Sequence, residues 1–587
     1  MGEQFTDDER RRLAPYFTDL DGPVFALTNL PEAVKGALFA RYSRSAKSLR
    51  RLFLDEFADD GATLLPESGQ HAGASGDARA APVTQDREPA ASRSVDRADT
   101  TRLRTGSGAD AATGRTVRLE VSDQRRDRAG RAVSRAQELY DRVFVEYGDD
   151  SVAQLGGVHL ACEGASNVLT KVLEWGRLMA YLEQSTRYVP YDDRPVGRYR
   201  YHVPAELTGE LQARFVRVLD GMFDTYRVWL PRMVEYYATR HPPPAGEPER
   251  PHRTAVRAKA LDTLRGLLPA ATTSNVGVYA TGQAYEQLLL RMRAHPLAEV
   301  RWYAGEMLRE LRRVIPAFLT RVDLPERGGA WSAYLQETRE VTARVADRLV
   351  GHLPAEPRDS VTLTDFDPDG EVKVVAAALY ASTALPDDQL LDLARRMTHD
   401  DRRAVLQAYV GPRVNRRHKP GRAFERTSYR FDVLADYGAF RDLQRHRMLT
   451  LEWQPLSPQH GYVTPEAIDQ AGASTDWERM MAESAALHDA IVAAGLPAVA
   501  PYAVAMAYRV RFFMHMNARE AMHVIELRTA PQGHPAYRRV CQEMHRLIAE
   551  QAGHRAIAEA MMFADHSEVA LERLEAERAA ERRRLRG

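Results

Sequence analysis

The stretches WGRLMAYLEQSTRY, Trp175 to Tyr188, and RHRMLTLEWQPLSP, Arg445 to Pro458, read as the two halves of one motif, carried far apart in a 587-residue chain. The first keeps a Ser-x-Arg-Tyr ending and the second an Arg-His-Arg opening. Their surroundings repeat too. PVFAL from Pro23 predicts a strand, followed by the helical AVKGALFARYS; VTLTDF from Val361 predicts a strand, DPDGE a turn and VKVVAAALYAS a helix. LLLRMRAHPLAEVRWYA from Leu288 pairs with VIELRTAPQGHPAYRRV from Val524, so that Arg291 and Arg528 occupy matching positions. The chain is therefore read as a duplication whose copies have diverged.

Such a length exceeds one buried core, which saturates near roughly 250 to 300 residues. The expected division is a first lobe over residues 1–350, a second over 360–567 and a charged helical tail over 568–587, with the Pro-rich HLPAEPRD near Gly351 to Asp359 as linker. From about Leu65 to Thr116 the composition turns to Ala, Gly, Ser, Asp, Arg and Pro, and no aromatic residue occurs between Phe57 and Tyr140. That segment is read as a disordered insertion, because it holds too little apolar surface to offset its ordering entropy. Residues Leu155, Val158, Ala161, Ala165, Val168, Leu169, Val172 and Leu173 recur at helical spacing, predicting a buried helix that Trp175 to Tyr188 terminates and follows. A further helical region, about Thr208 to Arg240, lengthens the first lobe.

Formal net charge is zero, which gives no reason to expect a nucleic acid or an anionic membrane as partner. Six of the 81 basic residues are lysines, so single arginines carry little weight. Cys162 and Cys541 lie far apart, against a disulfide framework or a structural zinc site, and a reducing cytoplasm is the expected setting. The start of the chain has no apolar core of a signal peptide. The most apolar long run, Leu496 to Met516, is interrupted by Arg509 and Arg511, so no membrane span is expected.

Together the two quoted stretches resemble the R-H-R-x-x-S-x-N-x-x-S-x-R-Y signature of the flavin-dependent thymidylate synthases. The resemblance implies a mixed α/β (α+β), helix-rich fold of two repeated lobes. It implies reductive methylation of dUMP to dTMP, with methylenetetrahydrofolate as methyl donor, FAD as cofactor and NADPH as reductant. By the same resemblance, FAD is held by Arg445, His446, Arg447, Asn517 and Arg519 of the second lobe. The dUMP is held by Ser185, Arg187, Arg265 and Arg291 of the first, with Ser185, Arg291 and Arg528 nearest the chemistry and no metal. Because the family builds its sites at the junctions of four short chains, a tandem chain is expected to form a homodimer of four lobes.

Departures accompany the match. Trp175 and Gly176 stand where the first arginine and the histidine belong, while Pro455, Ser457 and Pro458 replace the Ser, Arg and Tyr of the second copy. A site is expected only where a first lobe meets a second. An alternative is a catalytically silent nucleotide-binding or interaction protein; another is a flavoenzyme acting on a different pyrimidine nucleotide. Ser185 lacks a G-x-S-x-G elbow, and covalent catalysis is the poorer reading. Asp365, Asp367 and Asp369 imitate a calcium loop, yet Ala376 takes the position that needs a bidentate carboxylate, so they are read as a turn. No Walker A, H-E-x-x-H or G-x-G-x-x-G sequence occurs.

Overall fold

The computed structural model describes residues 3–58, 154, 156–243 and 249–585, and the expected insertion lies outside them. The first lobe opens with strand β1 (Val24–Leu27) and helix α1 (Glu32–Tyr42). Strand β2 (Gly157–Ser166), the short helix α2 (Asn167–Leu173), β3 (Met179–Glu183) and β4 (Thr273–Thr281) complete an antiparallel sheet in the order β1-β2-β4-β3. Between β3 and β4 run the long helix α3 (Gly209–Arg240) and α4 (Glu249–Leu264). After β4 come α5 (Gly282–Arg293), α6 (Ala298–Arg312) and α7 (Ala330–Val350).

The second lobe repeats this plan. Strand β5 (Val361–Phe366), helix α8 (Gly370–Tyr380), β6 (Ser428–Asp436), α9 (Tyr437–Leu443), β7 (Thr450–Trp453) and β8 (Arg509–Asn517) give the sheet order β5-β6-β8-β7, the same as in the first lobe. Helix α10 (Ser474–Ala493) precedes β8, and α11 (Ala518–Arg528) and α12 (Pro535–Glu550) follow it. Both β6 and β8 alternate buried and half-buried residues along their length. Arg509 and Arg511 therefore sit on one face of β8 while Val510, Phe512, Met514 and Met516 enter the core, a strand's period of two.

The helix expected from Leu155 is instead strand β2 followed by a two-turn helix. Both faces of β2 are covered: Val158, Leu160 and Cys162 face the main core, whereas Ala161 joins a second cluster around Phe25, Phe39 and Phe53. Burial on both sides fills the polar positions of the alternation, and the remaining apolar spacing imitates a helix. The strand also bends at a bulge between Cys162 and Ala165, where Gly164 takes φ of 70°. Asp367 accepts the Asp369 N–H at 3.0 Å, as a turn does.

The lobes join through equivalent segments. Ala270 donates to the Val504 carbonyl at 2.8 Å, Met506 to Leu268 at 2.9 Å and Ala507 to Gly266 at 3.0 Å. One hydrophobic core runs through both sheets and this junction. The tail is less solvated than its composition suggests: helix α13 (Leu574–Arg584) packs on α4, Glu572 before it is buried against Lys259, and Arg573 lies 4.0 Å from the Tyr188 ring centroid. Among the described residues no helix is long and apolar enough to cross a membrane.

Candidate functional site

Four arginines from both lobes gather around one carboxylate. Helix α9 ends beside the junction and carries Asp442 on its last turn, three residues ahead of Arg445, so both side chains leave the same side of that turn. Arg445 Nη2 reaches Asp442 Oδ1 at 2.6 Å, and Arg528, on the last turn of α11, reaches it at 3.4 Å and also donates to the Asp442 carbonyl. Arg265, in the tight turn that follows α4, brings Nη1 within 3.8 Å of Asp442 Oδ2. Burial favours a neutral Asp442, but Arg445, Arg528, Arg265 and Arg187 together hold its carboxyl far below the usual range.

Arg187 leaves the loop after β3 and closes on Asp262 of α4, with Nε at 2.7 and 2.8 Å and Nη2 at 2.6 Å from the carboxylate. Burial pushes Asp262 up, yet Arg187 outweighs it and the group sits at about 2. Beneath this layer Arg441 binds Glu183 at 2.6 Å and Lys171 binds Glu174 at 2.6 Å, while Arg445 stands 3.7 Å from Glu183. The cluster thus holds Lys171, Arg187, Arg265, Arg441, Arg445 and Arg528 against Glu174, Glu183, Asp262, Asp436 and Asp442. Burial raises both Glu174 and Asp436, which tips the balance further toward positive charge. Burying so many ions adds little to stability compared with an apolar core, whereas a surplus cation in low dielectric is well placed to take an anion.

Two cavities flank the cluster. The larger, about 670 Å³, is bordered by Asp262, Arg265, Lys259, His534 and Arg539. Arg265 Nη2 is buried there without a hydrogen-bond partner, so it is a donor ready for an acceptor. His534 is kept neutral, chiefly by burial and then by Arg265. The smaller cavity, about 460 Å³, is bordered by Trp175, Arg291, His446, Arg447 and Leu449. The Arg291 guanidinium lies 5.3 Å from the Trp175 ring centroid, its Nε is buried without a partner, and burial lowers its pKa.

The residues singled out in the sequence therefore divide. Arg187, Arg265, Arg445 and Arg528 share the cluster. Arg291, His446 and Arg447 border the smaller cavity, and Arg447 donates to the Met179 carbonyl of the first lobe. Ser185 is half-buried beside the cluster and its hydroxyl accepts the Arg187 N–H at 3.3 Å. Asn517 and Arg519 border neither cavity. The Asn517 side chain caps α11 by accepting from Glu520 N at 2.9 Å, and Arg519 binds the Pro420 carbonyl at 3.0 Å and Glu425 at 3.3 Å. Residues not foreseen are Asp262, Asp436, Asp442 and Glu183. Asp442 was signalled by its place three residues before Arg445, and Glu183 by lying inside the first quoted stretch.

His446, Glu520 and His523 bring ligand atoms within 4.8 Å of one another. Their hydrogen bonding does not suit a cation. His446 Nε2 accepts the Arg528 Nε–H at 2.9 Å, so the ring of this neutral histidine carries its proton on Nδ1, the atom 3.8 Å from Glu520. Burial brings His523 down to about 4 and Glu520 up to about 7, as in a neutral hydrogen-bonding group.

The family model described as thymidylate synthase complementing protein matches residues 102–317 and again 362–553, once in each lobe. The chain is 36% identical over 581 residues to a UPF0159 protein of Chlamydia pneumoniae, covering 98% of each, and 30% identical over 469 residues to one of Thermoplasma acidophilum, covering 76% of this chain and 92% of that one. It is also 29% identical over 181 residues to a flavin-dependent thymidylate synthase of Mycobacterium avium, covering 30% of this chain and 66% of that one.

Proposed function

The chain belongs to the family of the thymidylate synthase complementing proteins, the flavin-dependent thymidylate synthases, and on that premise we propose that it converts dUMP to dTMP with methylenetetrahydrofolate, FAD and NADPH. The observation that carries the proposal is the meeting of Arg187 and Arg265 of the first lobe with Arg445 and Arg528 of the second around Asp442, beside a donor with no acceptor. A nucleotide phosphate is the kind of group such a cluster accepts.

In this reading Arg265 takes the phosphate from the larger cavity, and Arg187, held in position by Asp262, adds its charge from behind. Ser185 offers a hydroxyl to the pyrimidine. For the flavin, the smaller cavity fits a planar ring with polar edges: Trp175, Leu449 and Leu451 give apolar wall, and Arg291 Nε is a buried donor without a partner. Arg291, His446 and Arg447 would hold it, and Arg528 fixes the His446 tautomer. Bound there, reduced flavin would supply the hydride that completes the methyl group. The protein's own part is to orient the two ring systems, exclude water and neutralise phosphate.

The test begins with the absorbance of the purified protein, expected to show bound flavin perturbed by added dUMP, and continues with mass detection of dTMP when all three reactants are supplied. Arg265→Met should weaken dUMP binding and spare flavin, whereas Arg291→Met should do the reverse, because the two residues border different cavities. Colourless protein that forms no dTMP when FAD is added would sink the proposal. One observation favours the second reading, a nucleotide-binding paralogue without turnover: the Arg187 fork is already closed on a carboxylate. Flavin that responds to dUMP without any dTMP formed would select it.

A further inference from the structure

Helix α7 stands out among the described helices by what it leaves uncovered. It is 21 residues long, about 31 Å at 1.5 Å per residue, and it buries none of its side chains. Residues 336–350 are exposed without interruption, and the stretch 351–360 that follows is exposed as well. Its side-chain hydrogen bonds to the body are Ser332 Oγ to the Leu290 carbonyl at 3.3 Å and Arg339 Nη1 to the Ala294 carbonyl at 2.7 Å, both reaching α5 and the residue after it. Helices of about this exposed length are marginal in water unless an apolar face is packed.

That face exists and points away from α5. At about 100° per residue, Trp331, Tyr334, Thr338, Val341, Val345 and Leu349 fall within an arc of roughly 80°, while Ser332 and Arg339 lie roughly 120 to 140° from its centre. Trp331 is 53% exposed and Tyr334 63% exposed, and Val341, Val345 and Leu349 are exposed too. The spacing of three, four, three, four and four residues is that of a helix seam.

We propose that this stripe is a docking surface for a second copy of the same chain, packed antiparallel about a two-fold axis beside Val341 and Thr342. The register follows from self-complementarity. About that axis Tyr334 meets Leu349 of the other copy, Thr338 turns its methyl to Val345 and Val341 meets Thr342, so the seam is lined by aromatic, aliphatic and β-branched side chains. Glu337 and Arg348 flank the stripe on the same side, and in an antiparallel pair that flank meets itself, which sets Glu337 of each copy across from Arg348 of the other. A two-fold interface requires such a pattern, one patch complementary to itself, and a pair of unlike charges flanking the seam fixes partner and direction. The surface is independent of the catalytic reading, since no residue of the charged cluster or of either cavity belongs to α7.

Sedimentation of the full chain tests it. The parent protein should sediment as a dimer at micromolar concentration, and Val341→Glu with Leu349→Glu should give a monomer that still unfolds cooperatively, because both side chains are exposed. Glu337→Arg should raise the dimer dissociation constant by about tenfold or more, and adding Arg348→Glu should restore it. Thr342→Cys, next to the axis, should cross-link to its own copy under mild oxidation, whereas Leu349→Cys alone should not. A parent chain that is monomeric, with the stripe covered instead by residues 59–153 of the same molecule, overturns the proposal. So does a dimer that survives the two glutamates.

Discussion

Asp262 holds the Nε–Nη2 edge of Arg187 in a buried site, and that pair makes the sharpest prediction at the residue scale. Asp262→Ala leaves a desolvated guanidinium without its counter-charge, a change that costs about 3 to 5 kcal/mol in buried pairs. Urea unfolding should show it, and Arg187→Met with Asp262→Leu should recover most of the loss, since apolar replacement of both partners removes the unpaired charge. Glu520 gives the pH prediction. Burial raises its pKa to about 7 against an ordinary value of 4.5, with Lys419, Arg519 and Arg447 opposing. Its contribution to stability is fully present below the unfolded value and is lost as pH rises to about 7, because the unfolded chain ionises first. Glu520→Gln should therefore melt higher than the parent near neutrality by an amount that vanishes below pH 4.5, at most roughly 3 kcal/mol; a constant difference across that range would refute the assignment. Arg445, His446, Arg447 and Arg528 were legible in the sequence because they lie close to one another or in matching repeats. Of their counter-charges only Asp442 had a local signal, three residues before Arg445; Glu183 meets Arg441 across 258 positions of chain, and the pairing of those two segments is recorded in neither.

At the scale of elements, what could be read were short β-rich runs bounded by turn residues and a helix with one exposed face. VTLTDF, PVFAL and the helix of Thr208 to Arg240 are found where they were expected. Strand β2 was misread because neighbours bury it on both faces, so the alternation that identifies a strand is missing from its composition. Its bulge carries a prediction: Gly164→Ala forces an L-residue into a left-handed backbone and should destabilise the protein by about 1 to 2 kcal/mol, with little change at the arginine cluster. A neutral result in thermal melting would mean that the bulge relaxes. The short helices α2 and α9, at two turns each, are too brief to show a helical period of their own, so α2 reads in the sequence as the end of one longer helix from Leu155, and they stand because the other lobe packs on them. Tyr437 of α9 donates to the Asn167 carbonyl at 2.9 Å, and Gln444 after it donates to Lys171 of α2 at 2.9 Å.

For the whole molecule, duplication was legible and the junction was not, because the 266–271 and 502–507 segments carry no charge and no alternation that marks a partner. That junction predicts cooperative behaviour. One apolar core crosses it, so calorimetry should record a single unfolding transition for both lobes rather than two; two separated transitions would show that each lobe is stable by itself. The repeat also bears on how such a site diverges. In an assembly of identical chains, a substitution that helps one face of a shared pocket is copied onto every face, including those it harms. Once two copies are joined in a single gene that coupling is broken. On the proposed function, Trp175 can stand where its counterpart is Arg445, and Pro455 where its counterpart is Ser185, because each position would answer to one half of one pocket. Symmetry, on that reading, is exchanged for division of labour.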